Sequence, residues 1–263
     1  MFANSRIILK YFLSGLLLVT AVVACQDSQN AITLNDDANG IIYGKVVPAS
    51  DSASNLVVMV FAEDAHGTSL CTGTLIEKNI VLTAAHCLYE MTNVRIEPAL
   101  KFSGTKQLLA DKVIIHNLYN GDISKGNDIA LIRVKGILPK NYVKAELPTS
   151  ADAVKEDMKI KLIGYGMTNG PGDDAGTLRT AEAIVYYAGK DLMIINQENS
   201  TGICDGDSGS PALIKKNNSY VVVGVASSTS RFSTDAKQCM REGSFMKVSA
   251  HQEWLQKNLR QLK

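Results

Sequence analysis

The stretch CTGTLIEKNIVLTAAHC, from Cys71 to Cys87, combines a β-branched run with a histidine near its end. Its apolar segment Ile80–Thr83 has the length and composition of a strand. The strand leads directly into TAAHC, so it would hold His86 on a rigid element. Histidine accepts and returns protons near neutral pH, because its ordinary pKa lies there. The stretch therefore predicts a strand that positions a proton-transfer residue.

Similar β-branched runs recur along the chain, separated by Gly, Asn, Asp and Pro, and this spacing is typical of an antiparallel all-β barrel or sandwich. Only Ser249–Leu262 has apolar residues at helical spacing. The polar, proline-bearing stretch Gly136–Glu156 is the expected junction between two halves. The further predicted strands are Leu56–Ala62, Val113–Ile115, Ile129–Val134, Ile160–Ile163, Ala183–Tyr187 and Tyr220–Ala226.

Two further motifs carry candidate chemistry. In Val113–Val134, Asp128 directly precedes an apolar strand, where its carboxylate would be partly buried and would need a hydrogen-bond donor. A histidine N–H is such a donor. In CDGDSGSP, Cys204–Pro211, glycines closely flank Asp207 and Ser208. Glycine allows the sharp turn that points backbone N–H groups at one spot, as an oxyanion hole requires.

The strings TAAHC, NDIAL and GDSGSP, in this order, resemble the trypsin/chymotrypsin-like serine proteases. The chain order His, Asp, Ser also matches that family and not the subtilisins or α/β-hydrolases. The resemblance covers nearly all of 41–263. It implies an all-β fold of two antiparallel six-stranded β-barrels with a C-terminal α-helix. The first barrel would span 41–145 and the second 146–263.

The resemblance also implies a role for each motif residue. Ser208 would be the nucleophile, His86 its general base, and Asp128 the residue that orients His86. The N–H groups of Gly206 and Ser208 would form the oxyanion hole. The implied enzyme is a serine endopeptidase that hydrolyses polypeptide substrates through an acyl-enzyme.

The string IIYG, at Ile41–Gly44, resembles the mature N-terminus of the family. Cleavage before Ile41 would free an ammonium group that pairs with Asp207, so the uncleaved chain would be a zymogen. Tyr43 departs from the glycine that the family normally has there. The bond to be cut follows Asn39-Gly40, which is not a basic site, so the activating protease is of unknown identity.

The residues of the substrate pocket follow from the same resemblance. Gly202 would form its base, and the absence of Asp there argues against basic substrates. Ile203 would narrow an apolar pocket, Ser227 would bind substrate backbone, and Thr229 and Gly243 would lie near the walls. The string GICDGDSGSP is especially similar to leukocyte elastases. We predict a preference for small to medium aliphatic residues at P1, the substrate residue before the cleaved bond, with aromatic residues as the alternative.

The N-terminus has the pattern of an export signal. Basic Arg6 and Lys10 precede the uncharged run Tyr11–Ala24, which is shorter than the roughly 20 apolar residues of a membrane-spanning helix. We predict a signal peptide over 1–24 and a polar tether or propeptide over 25–40. The string VVAC resembles a bacterial lipoprotein box, which makes Cys25 the candidate lipidation site. The alternative is a stray cysteine near an ordinary cleavage site.

Export places the chain in an oxidising compartment, where disulfides persist. The family resemblance implies the disulfides Cys71–Cys87 and Cys204–Cys239. Of the five cysteines, Cys25 is then left over, as a lipidated cysteine should be. The expected location is an outer-membrane or periplasmic lipoprotein, or an extracellular protein released by activation. Membrane contact would be made only through a lipid on Cys25.

Composition excludes other classes of function. The hydrophobic share is 46% and the charged share 20%, a globular balance. The formal net charge of +1 offers no basic excess for nucleic acid. No histidine has the spaced partners of a metal site, so neither metal nor cofactor is expected. The rival class is a non-catalytic surface-binding lipoprotein built on a protease fold. A protease dedicated to one precursor is a third possibility.

Overall fold

The computed structural model of the chain describes residues 41–168, 174–198, 200–230, 239 and 241–262. These ranges contain thirteen strands and one α-helix. The elements are β1 (Lys45–Val46), β2 (Val57–Glu63), β3 (Thr68–Glu77), β4 (Ile80–Thr83), β5 (Thr92–Glu97), β6 (Leu108–Ile115), β7 (Ala130–Val134), β8 (Lys159–Gly164), β9 (Arg179–Ala188), β10 (Leu192–Asn196), β11 (Pro211–Lys216), β12 (Ser219–Ser230), β13 (Glu242–Lys247) and α1 (Gln252–Leu262).

The first barrel is a closed antiparallel sheet in the order β2-β3-β4-β7-β6-β5. It closes where β5 returns to β2, with Ile96 opposite Val60. β4 has the bounds predicted for Ile80–Thr83, and all four of its residues are buried. Closure leaves no unpaired sheet edge, so these β-branched strands fill a core instead of exposing an apolar edge.

The second barrel follows the order β9-β10-β13-β12-β11-β8 and closes because β8 also pairs with β9. The stretch 136–156 between β7 and β8 contains no strand, as expected for a junction. The prediction of two six-stranded antiparallel barrels is therefore confirmed.

The first described residues belong with the second barrel. Lys45 and Val46 of β1 lie opposite Thr180 and Arg179 of β9. Ile41, just before β1, is fully buried in the core of the second barrel. The predicted first domain, 41–145, included this segment. The hydrogen bonding of β1 and the burial of Ile41 place it instead beside β9.

The helix α1 crosses from the second barrel to the first. The guanidinium group of Arg133, on β7, donates from Nη1 to the carbonyl of Leu262 in α1 at 3.2 Å. The Trp254 ring lies 5.0 Å from the His116 ring, which follows β6. Leu255 is fully buried in the same apolar cluster as the first-barrel core. The predicted helix 249–262 begins as a 3₁₀ turn at Val248–His251 and continues as α1.

The structure contains the disulfides Cys71–Cys87 and Cys204–Cys239. The first joins β3 to the turn after β4, and the second joins the Ser208 turn to the segment before β13. Cys25 and the predicted signal and tether, 1–40, lie outside the described residues. None of the helical segments within the described ranges is long and apolar enough to cross a membrane.

Truncating Leu255 tests the packing of α1. We expect Leu255→Ala to lower the free energy of unfolding by about 2–5 kcal/mol, because it leaves a cavity beneath the helix. Urea unfolding with both disulfides intact measures the loss. Ile137→Ala is the control, since Ile137 is 88% exposed, and its change should stay within about 0.5 kcal/mol. Equal losses in the two variants would contradict this packing.

Candidate active site

Strand pairing in the first barrel brings His86 and Asp128 together. β4 and β7 are antiparallel, with Thr83 opposite Ala130. His86 follows the end of β4 and Asp128 precedes the start of β7, so both residues leave the barrel at the same end. His86 Nδ1 lies 2.8 Å from Asp128 Oδ2, and the His86 backbone N–H donates to Oδ1 at 2.8 Å. A carboxylate only accepts, so Nδ1 carries the proton and the Nε2 lone pair is left for another partner.

The second barrel supplies a further donor to the same carboxylate. The Ser227 hydroxyl, on β12, donates to Asp128 Oδ2 at 2.6 Å. Asp128 is fully buried, whereas the His86 side chain is 22% exposed. Burying a carboxylate is unfavourable unless hydrogen bonds replace its water. Three donors do so here, and they hold the imidazole in one orientation.

The Ser208 turn is clamped between the two barrels. Thr72, on β3, donates its backbone N–H to the Ser208 carbonyl at 2.8 Å, and the Gly209 N–H donates to the Ala226 carbonyl at 2.8 Å. Gly209 has φ +82°, and a Cβ on it would lie 2.1 Å from Thr83 Oγ1. Only glycine combines this backbone conformation with so close an approach. The motif glycine therefore allows the turn to seat against β3 and β4.

The Thr72 side chain makes a second link across the barrels. Its hydroxyl donates to the Gly206 carbonyl at 3.0 Å and accepts from the Tyr165 N–H at 3.1 Å. Thr72 is fully buried. Sequence reasoning missed this residue, although it directly follows Cys71 in the first motif. A strand threonine is too common to be singled out without knowing that the Ser208 turn lies against it.

The Ser208 turn also presents unused N–H groups. Gly206 has φ +94°, and the Asp207 N–H donates back to the Cys204 carbonyl at 3.0 Å. Within the described part of the chain, no hydrogen bond uses the N–H of Gly206 or of Ser208. Two free donors beside one side-chain hydroxyl are the arrangement that binds a developing oxyanion.

His86 and Ser208 face the same cavity, which has a volume of about 250 Å³. Its wall is mixed, with hydroxyl groups, the acidic residue Asp205 and two aliphatic side chains, Ile123 and Ile203. The residues that line it include His86, Ile203, Ser208, Ser227, Ser228 and Thr229. The structure therefore gathers the three motif residues and three of the five predicted pocket residues at one place.

Gly202 and Gly243 are not among the described residues that line this cavity. A Cβ on Gly202 would lie 2.1 Å from Gln197 Cδ, and one on Gly243 would lie 2.2 Å from Gln197 Oε1. Both glycines therefore face the side chain of Gln197 and not open space. We predicted that Gly202 would be the base of the pocket, but Gln197 stands in front of it. Sequence reasoning missed Gln197, because it lies outside every motif.

Asp207 is a second fully buried carboxylate in this region. It accepts from the Gly166 N–H at 2.8 Å and from the Cys204 N–H at 3.0 Å. Burial raises the pKa of Asp207 to about 7, because these donors and the charge of Arg179 only partly replace water. In the uncleaved chain, the negative charge on Asp207 is thus poorly compensated.

Ile41 and Ile42 are both fully buried. The Ile42 N–H donates to the Gly202 carbonyl at 2.8 Å, which ties the segment to the Ser208 region. Tyr43 has φ +54°, in the left-handed region that favours glycine. No ion pair joins Ile41 to Asp207 among the described residues, and in a continuous chain the Ile41 nitrogen is an uncharged amide.

Two clusters of metal-type side chains occur in the described ranges, and each contains a disulfide. A sulfur in a disulfide is not the thiolate that binds zinc. These clusters are therefore not metal centres, and the expected absence of a cofactor stays a prediction.

Comparison with known proteins finds a matching family model, relatives of similar sequence and a solved structure of similar fold. The family model described as Trypsin matches residues 45–255. Chymotrypsin-like elastase family member 1 of Macaca fascicularis is 26% identical over 248 residues, covering 85% of this chain and 91% of that protein. Collagenase of Hypoderma lineatum is 26% identical, covering 72% of this chain and 75% of that protein. A solved structure of HL collagenase shares the fold, with a TM-score of 0.70 at 21% identity, and covers 83% of this chain and 98% of that one.

Removing the Thr72 hydroxyl tests the link between the barrels. We expect Thr72→Val to lower the free energy of unfolding by about 1–3 kcal/mol, because it strips the buried Tyr165 N–H of its acceptor. Thr72→Ser keeps the hydroxyl and should lie between Thr72→Val and the wild type in urea unfolding. A serine variant less stable than the valine variant would contradict this role.

Proposed function

The chain belongs to the trypsin family and is a serine endopeptidase, and from this premise we propose that Ser208, His86 and Asp128 form its catalytic triad. One observation carries the proposal: the imidazole hydrogen-bonded to Asp128 shares a cavity with Ser208. The substrates are polypeptides.

The proposed reaction proceeds through an acyl-enzyme. Ser208 Oγ attacks the carbonyl carbon of the scissile bond while His86 Nε2 accepts the hydroxyl proton. His86 then gives this proton to the leaving nitrogen, and the C–N bond breaks. A water molecule, deprotonated by His86, attacks the acyl ester, and Ser208 Oγ leaves with the proton. Asp128 stabilises the imidazolium at each step, because its carboxylate accepts the hydrogen bond from Nδ1.

The N–H groups of Gly206 and Ser208 serve as the oxyanion hole in this scheme. They are supported as donors by the positive φ of Gly206 and by the absence of competing acceptors in the described part of the chain. One such donor is worth about 3–4 kcal/mol of barrier. The link from Thr72 to the Gly206 carbonyl keeps these donors in register with His86.

Activation by cleavage before Ile41 is the second part of the proposal. Hydrolysis of the Gly40–Ile41 bond converts an amide nitrogen into an ammonium, which would pair with Asp207. The support is that Ile41 is already buried in the second barrel and that Asp207 is a buried, poorly compensated carboxylate. Breaking one end of a buried ion pair costs about 3–5 kcal/mol, enough to hold an uncleaved chain inactive. The activating protease has no basic site to recognise here.

The same cleavage would separate the protease from its N-terminal segment. We place a signal peptide at 1–24 and a lipid on Cys25, both outside the described residues. The enzyme is then an exported, lipid-tethered zymogen that activation releases. The expected P1 preference is aliphatic, and Ile203 and Thr229 in the cavity wall support it.

Serine-directed labelling tests the triad. We expect a fluorophosphonate to label the chain that begins at Ile41 and to leave its Ser208→Ala twin unlabelled, because only an assembled triad and oxyanion hole activate the hydroxyl. Gel fluorescence measures the labelling, and unfolding curves check that both samples are folded. No labelling of a folded, disulfide-bonded wild type would contradict the triad and favour the binding-module alternative.

The pH dependence of stability tests the state of Asp207. Its folded pKa of about 7 lies above its ordinary value of 3.8, so the uncleaved native state binds the extra proton between these values. The stability of the uncleaved chain should therefore fall as pH rises from about 4 to about 7. Urea unfolding across this window should show a loss in the wild type that is absent in Asp207→Asn. Identical pH profiles for the two chains would contradict an uncompensated carboxylate.

A further inference from the structure

We infer that Gln197 determines the size of the residue that the protease accepts at P1, by filling the inner end of the specificity pocket. The inference rests on the proposed function, which makes the cavity beside Ser208 the P1 pocket. It goes further because it names the side chain that ends this pocket and the class of substrate that results.

Gln197 is held where two strands end. It directly follows β10, which pairs with β13 so that Ile195 lies opposite Gly243. The Gln197 N–H donates to the Arg241 carbonyl at 2.9 Å. The side chain is fully buried and points between Gly202 and Gly243, where each glycine leaves room for it. A side chain at either glycine would collide with the amide.

Hydrogen bonds on three sides immobilise the amide of Gln197. Nε2 donates to the carbonyls of Ile203, at 3.0 Å, and Cys239. Oε1 accepts from the Ile203 N–H at 2.9 Å. Both N–H bonds of the amide are used, and the ring of contacts with Ile203 fixes that residue in place. A fully satisfied amide is costly to displace, because moving it would strand several buried polar groups.

Gln197 is not among the described residues that line the cavity, but it lies directly behind one of them, because its amide is hydrogen-bonded to the backbone of Ile203 at both Nε2 and Oε1. The lining of the cavity includes Ile203 and Thr229 but neither Gly202 nor Gly243, among the residues that the structure describes. Thr229 lies opposite Gly243 across β12 and β13, so a cavity that extended past Thr229 would reach the glycine and then Gln197. As bounded by the residues that the structure describes, the pocket is therefore shallow. Both N–H bonds of the Gln197 amide are engaged, so Gln197 itself offers no free donor to a polar P1 residue.

A shallow pocket with Ile203 in its wall favours small aliphatic P1 residues and excludes aromatic ones. Each extra methylene that a pocket must accept or reject changes kcat/KM by about 10–200-fold. The wild type starting at Ile41 should therefore cleave peptides with Ala or Val at P1 at least about tenfold better than the matched peptide with Phe. A wild type that prefers Phe overturns the inference, whatever the variants do.

Two substitutions distinguish the effect of the volume of the Gln197 side chain from the effect of its hydrogen bonds. Gln197→Ala empties the pocket end, and the ratio of kcat/KM for Phe over Ala should rise by at least about tenfold. Gln197→Met is the matched control, because methionine keeps a long unbranched side chain but cannot replace the amide hydrogen bonds. It should lose stability in urea unfolding and yet retain the wild-type preference for small P1 residues.

Active-site titration with the fluorophosphonate makes the outcomes distinguishable. Each kcat/KM is divided by the labelled fraction, so partial misfolding does not mimic a change of preference. A wild type that labels and cleaves, with a Phe-to-Ala ratio unchanged in Gln197→Ala, overturns the role of Gln197 alone. A folded wild type that does not label overturns the proposed function, and with it this inference. If Gln197→Ala does not fold, the inference is still tested by the Phe-to-Ala ratio of the wild type and by Gln197→Met. A Gln197→Met variant that gains cleavage after Phe would contradict the idea that the volume of the side chain limits the pocket.

Discussion

The buried carboxylate of Asp128 is the constraint around which the two barrels are arranged. A charge with no exposure to water must be surrounded by donors, and no single barrel supplies all of them. His86 contributes two from the first barrel and Ser227 one from the second. Satisfying this one group therefore fixes both the imidazole and the position of β12 relative to β7.

Thr72 adds the complementary constraint on the Ser208 turn. Its backbone N–H donates to the Ser208 carbonyl, and its hydroxyl donates to the Gly206 carbonyl. The nucleophile candidate belongs to the second barrel, and its proton acceptor belongs to the first. Hydrogen bonds that cross the boundary hold the two in register, and the Cys71–Cys87 disulfide beside them stiffens the first-barrel side.

Asp207 and Gln197 are both buried near the Ser208 turn, but hydrogen bonds compensate their burial to different degrees. The Gln197 amide is neutral and has a partner for each of its N–H bonds, so it serves as a rigid filler. Asp207 has two donors and a pKa raised to about 7 by burial, so its charged form is under-compensated. The first arrangement suits a permanent wall. The second suits a site that awaits an ammonium, as the proposed activation requires.

Sequence alone determined the features that depend on local pattern. The strand Ile80–Thr83, the helical end of the chain, and the ordered motifs of His86, Asp128 and Ser208 follow from residue type and spacing. Tertiary structure alone decided the pairing of β1 with the second barrel, the reach of Thr72 across the barrels and the insertion of Gln197 before Gly202. The physical reason is that each of these contacts joins residues whose neighbours in the sequence carry no sign of the partner. Short strands and single polar side chains are positioned by their tertiary contacts with the closed sheets around them.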